Sequence, residues 1–191
     1  PRELVEVFRE EAREVATRMS ESAAEDPSLM LWILTVRVLL PALAADPAGT
    51  AGGGASVIAG VLDELEGQLK ALVARWPEQQ VAASKLLGMA QLMAGRRAEA
   101  RRQFQEVVAV APEDRQAYNP LIALALENED LEEAQRLVTK RMTANPAAED
   151  LLMLGKIAIR REQPEQAMAC FRQAMAQFPY EALGYLATAG W

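Results

Sequence analysis

The sequence contains no histidine. That removes the usual general base near neutral pH, His-based metal sites, and any Ser-His-Asp or Cys-His arrangement. It contains one cysteine, Cys170, so no intramolecular disulfide can form. Cys170 directly precedes Phe171 in an apolar helical pattern, which reads as a half-buried packing cysteine rather than a nucleophile. Aromatic residues make up only 5% of the chain, and strand-like alternation is rare. A long apolar run is missing too. Spanning a bilayer takes about 20 apolar residues. The most apolar stretch, Leu29 to Leu40, is twelve residues long, holds Arg37 and meets Pro41. It reads as a buried helix.

Basic charge is short as well: the net charge is −7. Binding of nucleic acid needs a clustered basic surface, so nucleic acid is not the expected partner. Arg96, Arg97, Arg101 and Arg102 do cluster around a turn. That cluster reads as a solvated helix face, with a docking patch for an acidic segment as the alternative. The Gly-rich stretch 41–56 has no Gly-Lys-Ser/Thr after it, so it is not a phosphate loop. It reads as a flexible insertion. Carboxylate pairs such as Glu132–Glu133 and Glu10–Glu11 are sequence neighbours. Neighbours on a helix diverge by about 100° and do not converge on a substrate. No catalytic, metal-ligating or cofactor-binding residue is expected, and the chain is not read as an enzyme.

What is abundant is Ala, Leu, Glu, Arg, Gln and Met, all good helix formers. An all-α protein is expected. One spacing then recurs three times. Gly88, Ala100, Phe104 and Pro112 are matched by Ile122, Ala134, Val138 and Pro146, and by Gly155, Ala167, Phe171 and Pro179. Leu87, Leu121 and Leu154 precede the starting residues. The steps are 34 and then 33 residues. A period of that size signals stacked supersecondary units.

Each unit holds two apolar helical stretches separated by a polar break: Gly95-Arg96-Arg97, Asn128-Glu129-Asp130 and Glu162-Gln163-Pro164. Gly and Asn end helices readily in the left-handed conformation, and Pro164 suits the first turn of the next helix. Pro112, Pro146 and Pro179 close the second helices. Gly88 and Gly155 would allow close approach of paired helices, with Phe104 and Phe171 filling the space between hairpins. Asn119-Pro120 falls within the first helix of the middle unit, and a late start of that helix is favoured over a kink.

The recurrent Leu-Gly…Ala…Phe…Pro spacing over residues 81–179 resembles the tetratricopeptide repeat family. The early large residue of the family is Ser84, Tyr118 and Leu151 here, and the later Tyr is Gln91, Ala125 and Ala158. The resemblance implies a right-handed superhelical array of antiparallel helix pairs with an inner groove lined by first helices. It implies another protein, as a peptide or amphipathic helix, for a ligand. On that reading the groove carries Lys85, Met89, Leu92, Met93, Asn119, Ala123, Leu126, Leu152, Met153, Lys156 and Arg160. Methionine adapts its shape to apolar side chains. A two-carboxylate clamp for chaperone C-termini is not expected, because Met89, Pro120 and Ala123 stand where polar residues would be needed.

Two organisational units are expected: 1–56, with N-terminal helices and the insertion, and 57–191, with the repeats and a terminal helix over Glu181 to Ala189. Residues 2–24 read as an amphipathic helix with Leu4, Val7, Phe8, Ala12, Val15, Ala16 and Met19 on one face, a candidate cap. Asp26-Pro27-Ser28 ends it. Residues 28–40 read as the first helix of a divergent repeat, with Trp32 as its early large residue. Residues 57–76 read as the second, closed by Pro77. The chain begins at Pro1 rather than Met, which reads as processing or excision from something longer.

The leading function is an interaction scaffold or adaptor. The alternative is a structural or oligomerisation module of a bacterial envelope assembly, in which the chain could self-associate. Arg outnumbers Lys 16 to 4, a composition that fits a GC-rich bacterial genome. The expected compartment is the cytoplasm, with a periplasmic domain of a membrane-anchored protein as the alternative.

Overall fold

The structure is a computed structural model that describes residues 26–45 and 53–181. Among the described residues it is all helix. The elements in chain order are α1 (Pro27–Ala45), α2 (Gly53–Arg75), a 3-10 turn (Pro77–Gln79), α3 (Gln80–Met93), α4 (Arg97–Val110), α5 (Arg115–Glu127), α6 (Leu131–Ala144), α7 (Ala148–Arg160) and α8 (Pro164–Gln177). None of the described helices is long and apolar enough to cross a membrane. The chain forms two compact units, Pro1–Glu106 and Val107–Trp191. The expected helix over residues 2–24 lies outside the described residues, as does nearly all of the expected terminal helix.

In the first unit, α1 starts where the sequence places a start. The Asp26 carboxylate accepts from the backbone N–H of Ser28 at 2.9 Å and of Leu29 at 3.2 Å, and Pro27 takes the first position. Such a cap satisfies donors that have no partner within the helix. The helix does not stop at Leu40. It runs through Pro41 to Ala45, and α2 already begins at Gly53. The expected insertion therefore narrows to residues 46–52, which lie outside the described residues. Pro41 removes one backbone bond, but Ala42, Ala44 and Ala45 around it have high helix propensity.

The core of this unit is built by helical spacing. Leu62, Leu65, Leu69 and Leu72 form the buried stripe of α2 and meet Leu34 of α1 and Ala83, Leu87 and Ala90 of α3. Ile33 beside Leu34 is buried as well. Trp32 is not: it is 51% exposed, so α1 does not use it as the expected packing residue. Between α3 and α4, Gly88 makes room for the ring of Phe104. A Cβ there would stand 2.9 Å from the ring of Phe104.

In the second unit, α5 starts at Arg115. The Asp114 carboxylate accepts from Gln116 N–H at 3.0 Å and Ala117 N–H at 3.3 Å. The expected late start is thus corrected, because Pro120 lies inside the helix. An interior proline leaves the carbonyl four residues back without its bond, here that of Gln116. The strong cap holds the turn before it. Tyr118 and Leu151, at the early large position, are buried.

Gly155 repeats the close approach of Gly88, since an added Cβ would stand 2.7 Å from Cζ of Phe171. In the middle repeat the same two positions hold Ile122 and Val138, 3% and 0% exposed. Bulk has moved from one helix to the other.

The three breaks share one hydrogen-bond pattern. Gly95 N–H donates to Leu92 O and Arg96 N–H to Gln91 O, at 3.0 and 2.8 Å. Glu129 N–H and Asp130 N–H donate to Leu126 O and Ala125 O, at 3.3 and 2.9 Å. Glu162 N–H and Gln163 N–H donate to Ile159 O and Ala158 O, at 2.9 Å each. Each is a Schellman turn. The left-handed residues are Gly95, Glu129 and Glu162, with φ of 77°, 57° and 58°. The expected Asn128 is not among them; its φ is −84°. A side chain in this conformation costs roughly 1–2 kcal/mol. Glu129→Gly and Glu162→Gly are therefore each expected to raise stability by about 0.5–1 kcal/mol in urea unfolding. Loss of stability in both would contradict this account.

Candidate functional site

The first helices of the repeats are α3, α5 and α7. On α3, Met89 is 49% exposed, Lys85 and Leu92 are half-buried, and Met93 packs against the core of the first unit. On α5, Asn119 and Ala123 are exposed and Leu126 is half-buried. On α7, Lys156 and Arg160 are exposed and Met153 is half-buried. Leu152 lies inside. It is 5% exposed and packs with Leu151, Ala174, Phe171 and Phe178.

Asn119 is engaged within the fold. Its Oδ1 accepts from Nη1 of Arg141. Arg141 is 2% exposed and Asp150 is fully buried. The Asp150 carboxylate receives Arg141 Nε at 2.6 Å, Arg115 Nη1 at 2.6 Å, Arg115 Nη2 at 3.1 Å, and the Ala147 N–H at 3.1 Å. Arg115 also donates to the carbonyl of Asn145. The hydrogen bond to Asp150 holds the Arg115 guanidinium pKa above its ordinary value. A buried carboxylate is tolerable here because four donors replace its water. Arg141 Nη2 is buried without a hydrogen bond among the described residues and faces Glu149 Oε1 at 3.8 Å.

Sequence reasoning missed this cluster. Its signal was present: Arg141 follows Ala134, Leu137 and Val138 at the spacing of buried positions, and a cation on a buried stripe demands a partner.

The cluster fixes geometry. Arg115 at the start of α5 pairs with Asp150 at the start of α7 at 2.6 Å. Glu129, just past the end of α5, pairs with Arg160 at the end of α7 at 3.6 Å. The two helices are thus tied at corresponding ends and run in the same direction. They present Ala123 and Leu126 from one helix and Met153, Lys156 and Arg160 from the other. A separate shallow depression of about 420 Å³ lies along α6, between Glu132, Gln135, Thr139, Lys140 and Arg161. Beside it Arg161 reaches Gln135 at 2.5 Å and Glu132 at 3.9 Å. Burial pushes the Cys170 thiol up, which disfavours the reactive thiolate.

Comparison with known proteins adds the lineage of the fold. The family profile described as tetratricopeptide repeat matches residues 86–114 and 151–179. It passes over the middle unit, where Ile122 and Val138 replace the Gly–Phe pair. No curated protein matches. Among solved structures, BtubC from P. vanneervenii is 19% identical, with 90% of this chain and 72% of that chain covered and a TM-score of 0.56. MamA from Desulfovibrio magneticus RS-1 is 19% identical, covering 92% and 91%, with a TM-score of 0.54. PilW, described as a widely conserved type IV pilus biogenesis factor, is 18% identical, covering 97% and 96%, with a TM-score of 0.53. At these identities the likeness concerns the fold. The two matched stretches carry the Gly–Phe contacts and end their first helices in Schellman turns, and the described residues have the helical-repeat fold of these solved structures, so residues 86–114 and 151–179 are similar to tetratricopeptide repeats.

Proposed function

We propose that the chain is a non-catalytic protein-interaction scaffold, and that the face shared by α5 and α7 holds an apolar peptide or amphipathic helix. The buried pairing of Arg115 with Asp150, which ties the start of α5 to the start of α7, carries the proposal. It pre-organises a strip of Ala123, Leu126 and Met153, so little ordering remains to oppose binding. Small Ala123 lets a ligand approach the backbone, and half-buried Met153 can reshape around it. Exposed Lys156 and Arg160 favour an acidic residue at the ligand's edge. On the first unit, Met89 offers an exposed apolar side chain at the corresponding register.

The test is peptide selection on the full chain from a displayed random library. Selected sequences are expected to carry apolar anchors at helical spacing, i, i+3 or i+4, and i+7. Met153→Glu should weaken them by at least about tenfold, because a carboxylate would meet an apolar side chain. Arg172→Glu, on the exposed side of α8, should leave them unchanged. Binders indifferent to Met153→Glu would remove α5 and α7 as the docking face.

A further inference from the structure

In the middle hairpin, one side of α6 receives the next hairpin. Gln135 accepts from Arg161, and Met142 packs in the cluster of Leu151 and Leu152. The repeat step of 33 residues carries Gln135 to Met168 and Met142 to Met175, both on α8. These two methionines are 50% and 45% exposed. α8 thus repeats the docking side of α6 with apolar side chains, and no further hairpin follows it among the described residues. Met168-Ala169 and Met175-Ala176 recur after seven residues, the period that keeps one helix seated along another. All four are exposed. The alanine beside each methionine leaves room for a second backbone.

We propose that a second copy of this chain docks on this side of α8, with the two α8 helices antiparallel about a two-fold axis near Ala169. Charge selects both the occupant and its direction. Glu165 lies one turn before Met168 and Arg172 one turn after it. Both are exposed, and neither is paired among the described residues. Antiparallel pairing sets Glu165 of each copy within about a turn of Arg172 of the other, with Met168 and Ala169 of both copies between them. Parallel pairing would set Glu165 against Glu165 and Arg172 against Arg172. The surface is therefore complementary to itself in one orientation, as a two-fold interface requires. Burial of the methionines supplies the attraction, and the charges at the rim fix direction more than strength.

The chain that follows α8 is a poorer occupant. Residues 182–191 contain no charged side chain, so they complement neither Glu165 nor Arg172. The contact uses none of Ala123, Leu126 and Met153, and it stands apart from the peptide-holding reading of α5 and α7.

The experiment is analytical ultracentrifugation of the full chain from micromolar to near-millimolar concentration. The expected result is a monomer–dimer equilibrium with no larger species. Met168→Glu should raise the dimer Kd by at least about tenfold, with the far-ultraviolet helical signal kept. Glu165→Arg and Arg172→Glu should each weaken the dimer several-fold, because each sets like charges opposite one another. An equimolar mixture of those two variants should recover it, since a mixed dimer makes both pairs again. A chain that stays monomeric throughout would overturn the proposal and leave this side of α8 to another occupant. A dimer indifferent to Met168→Glu would overturn it too, by moving the contact elsewhere. A mixture that associates no better than its components would exclude the antiparallel arrangement.

Discussion

Replacing Asp150 with alanine is expected to destabilise the protein by about 3–5 kcal/mol, the usual cost of removing one partner from a buried charge pair. The substitution strands Arg141, which is 2% exposed, and deprives Arg115 of its bidentate acceptor. It also frees the Ala147 N–H at the start of α7. Urea unfolding of the full chain measures this directly, and the midpoint of thermal unfolding should fall by roughly 6–20 °C. The effect should persist in high salt, because buried pairs are little screened. Arg160→Gln gives the contrast. It breaks only the exposed pair with Glu129, 3.6 Å apart, and is expected to change stability by less than about 1 kcal/mol. If Asp150→Ala cost no more than Arg160→Gln, the cluster would not be holding α5, α6 and α7 together. A double variant, Asp150→Ala with Arg141→Met, should cost less than the two single changes added, since groups in one network do not act independently.

The second large effect lies at Gly155. Gly155→Ile would drive a branched side chain into the Phe171 ring, where even a Cβ stands 2.7 Å from Cζ. Overpacking of this kind costs about 1–3 kcal/mol. The better helix propensity of isoleucine over glycine offsets only a few tenths of that. Phe171→Val alone should cost about 1–3 kcal/mol by leaving space behind, less than in a fully buried site because Phe171 is half-buried. Together the two changes rebuild the Ile122–Val138 pair of the middle repeat. The double variant should therefore be more stable than Gly155→Ile by itself, with a coupling of about 1–3 kcal/mol. Strict additivity in urea unfolding would mean that these two positions do not share one volume.

That exchange explains how much could be read from the sequence. The period, the helix pairs and the boundaries at Pro77, Pro112, Pro146 and Pro179 follow from spacing, and the structure keeps them. Spacing marked Gly88 and Gly155 as points of close approach but set Phe104 and Phe171 between successive hairpins, whereas each ring lies against the glycine of its own hairpin. Interior prolines were harder. Pro41 and Pro120 each suggested a helix boundary, yet the helices run through them, held by Ala-rich sequence in one case and by the Asp114 cap in the other. The helix ends were partly legible. The break at 128–130 was clear, but which residue adopts positive φ depends on the backbone bonds of the turn, and Glu129 takes that position without being favoured for it.

The candidate face was less legible still. The family resemblance implied that Leu152 and Asn119 line the inner groove with Ala123 and Met153. Packing against α8 draws Leu152 inward, and Arg141 engages Asn119 from α6. Both effects come from neighbours distant in sequence, which periodicity within one helix does not see. Arg141 and Asp150 are the instructive omission. Each looks like an ordinary surface charge until its place on a buried stripe is noticed.

The buried cluster also bears on how this array can evolve. Arrays of stacked hairpins commonly grow and shrink by copying or losing whole units, since each unit touches only its neighbours. Here Arg115 and Arg141 belong to the middle hairpin and Asp150 to the next. Excising the third hairpin alone would leave two guanidinium groups without their carboxylate, and inserting a foreign hairpin after Asn145 would do the same unless it brought its own aspartate. The two hairpins are therefore inherited as a pair, and the true module of exchange in this part of the chain is twice the length of the repeat.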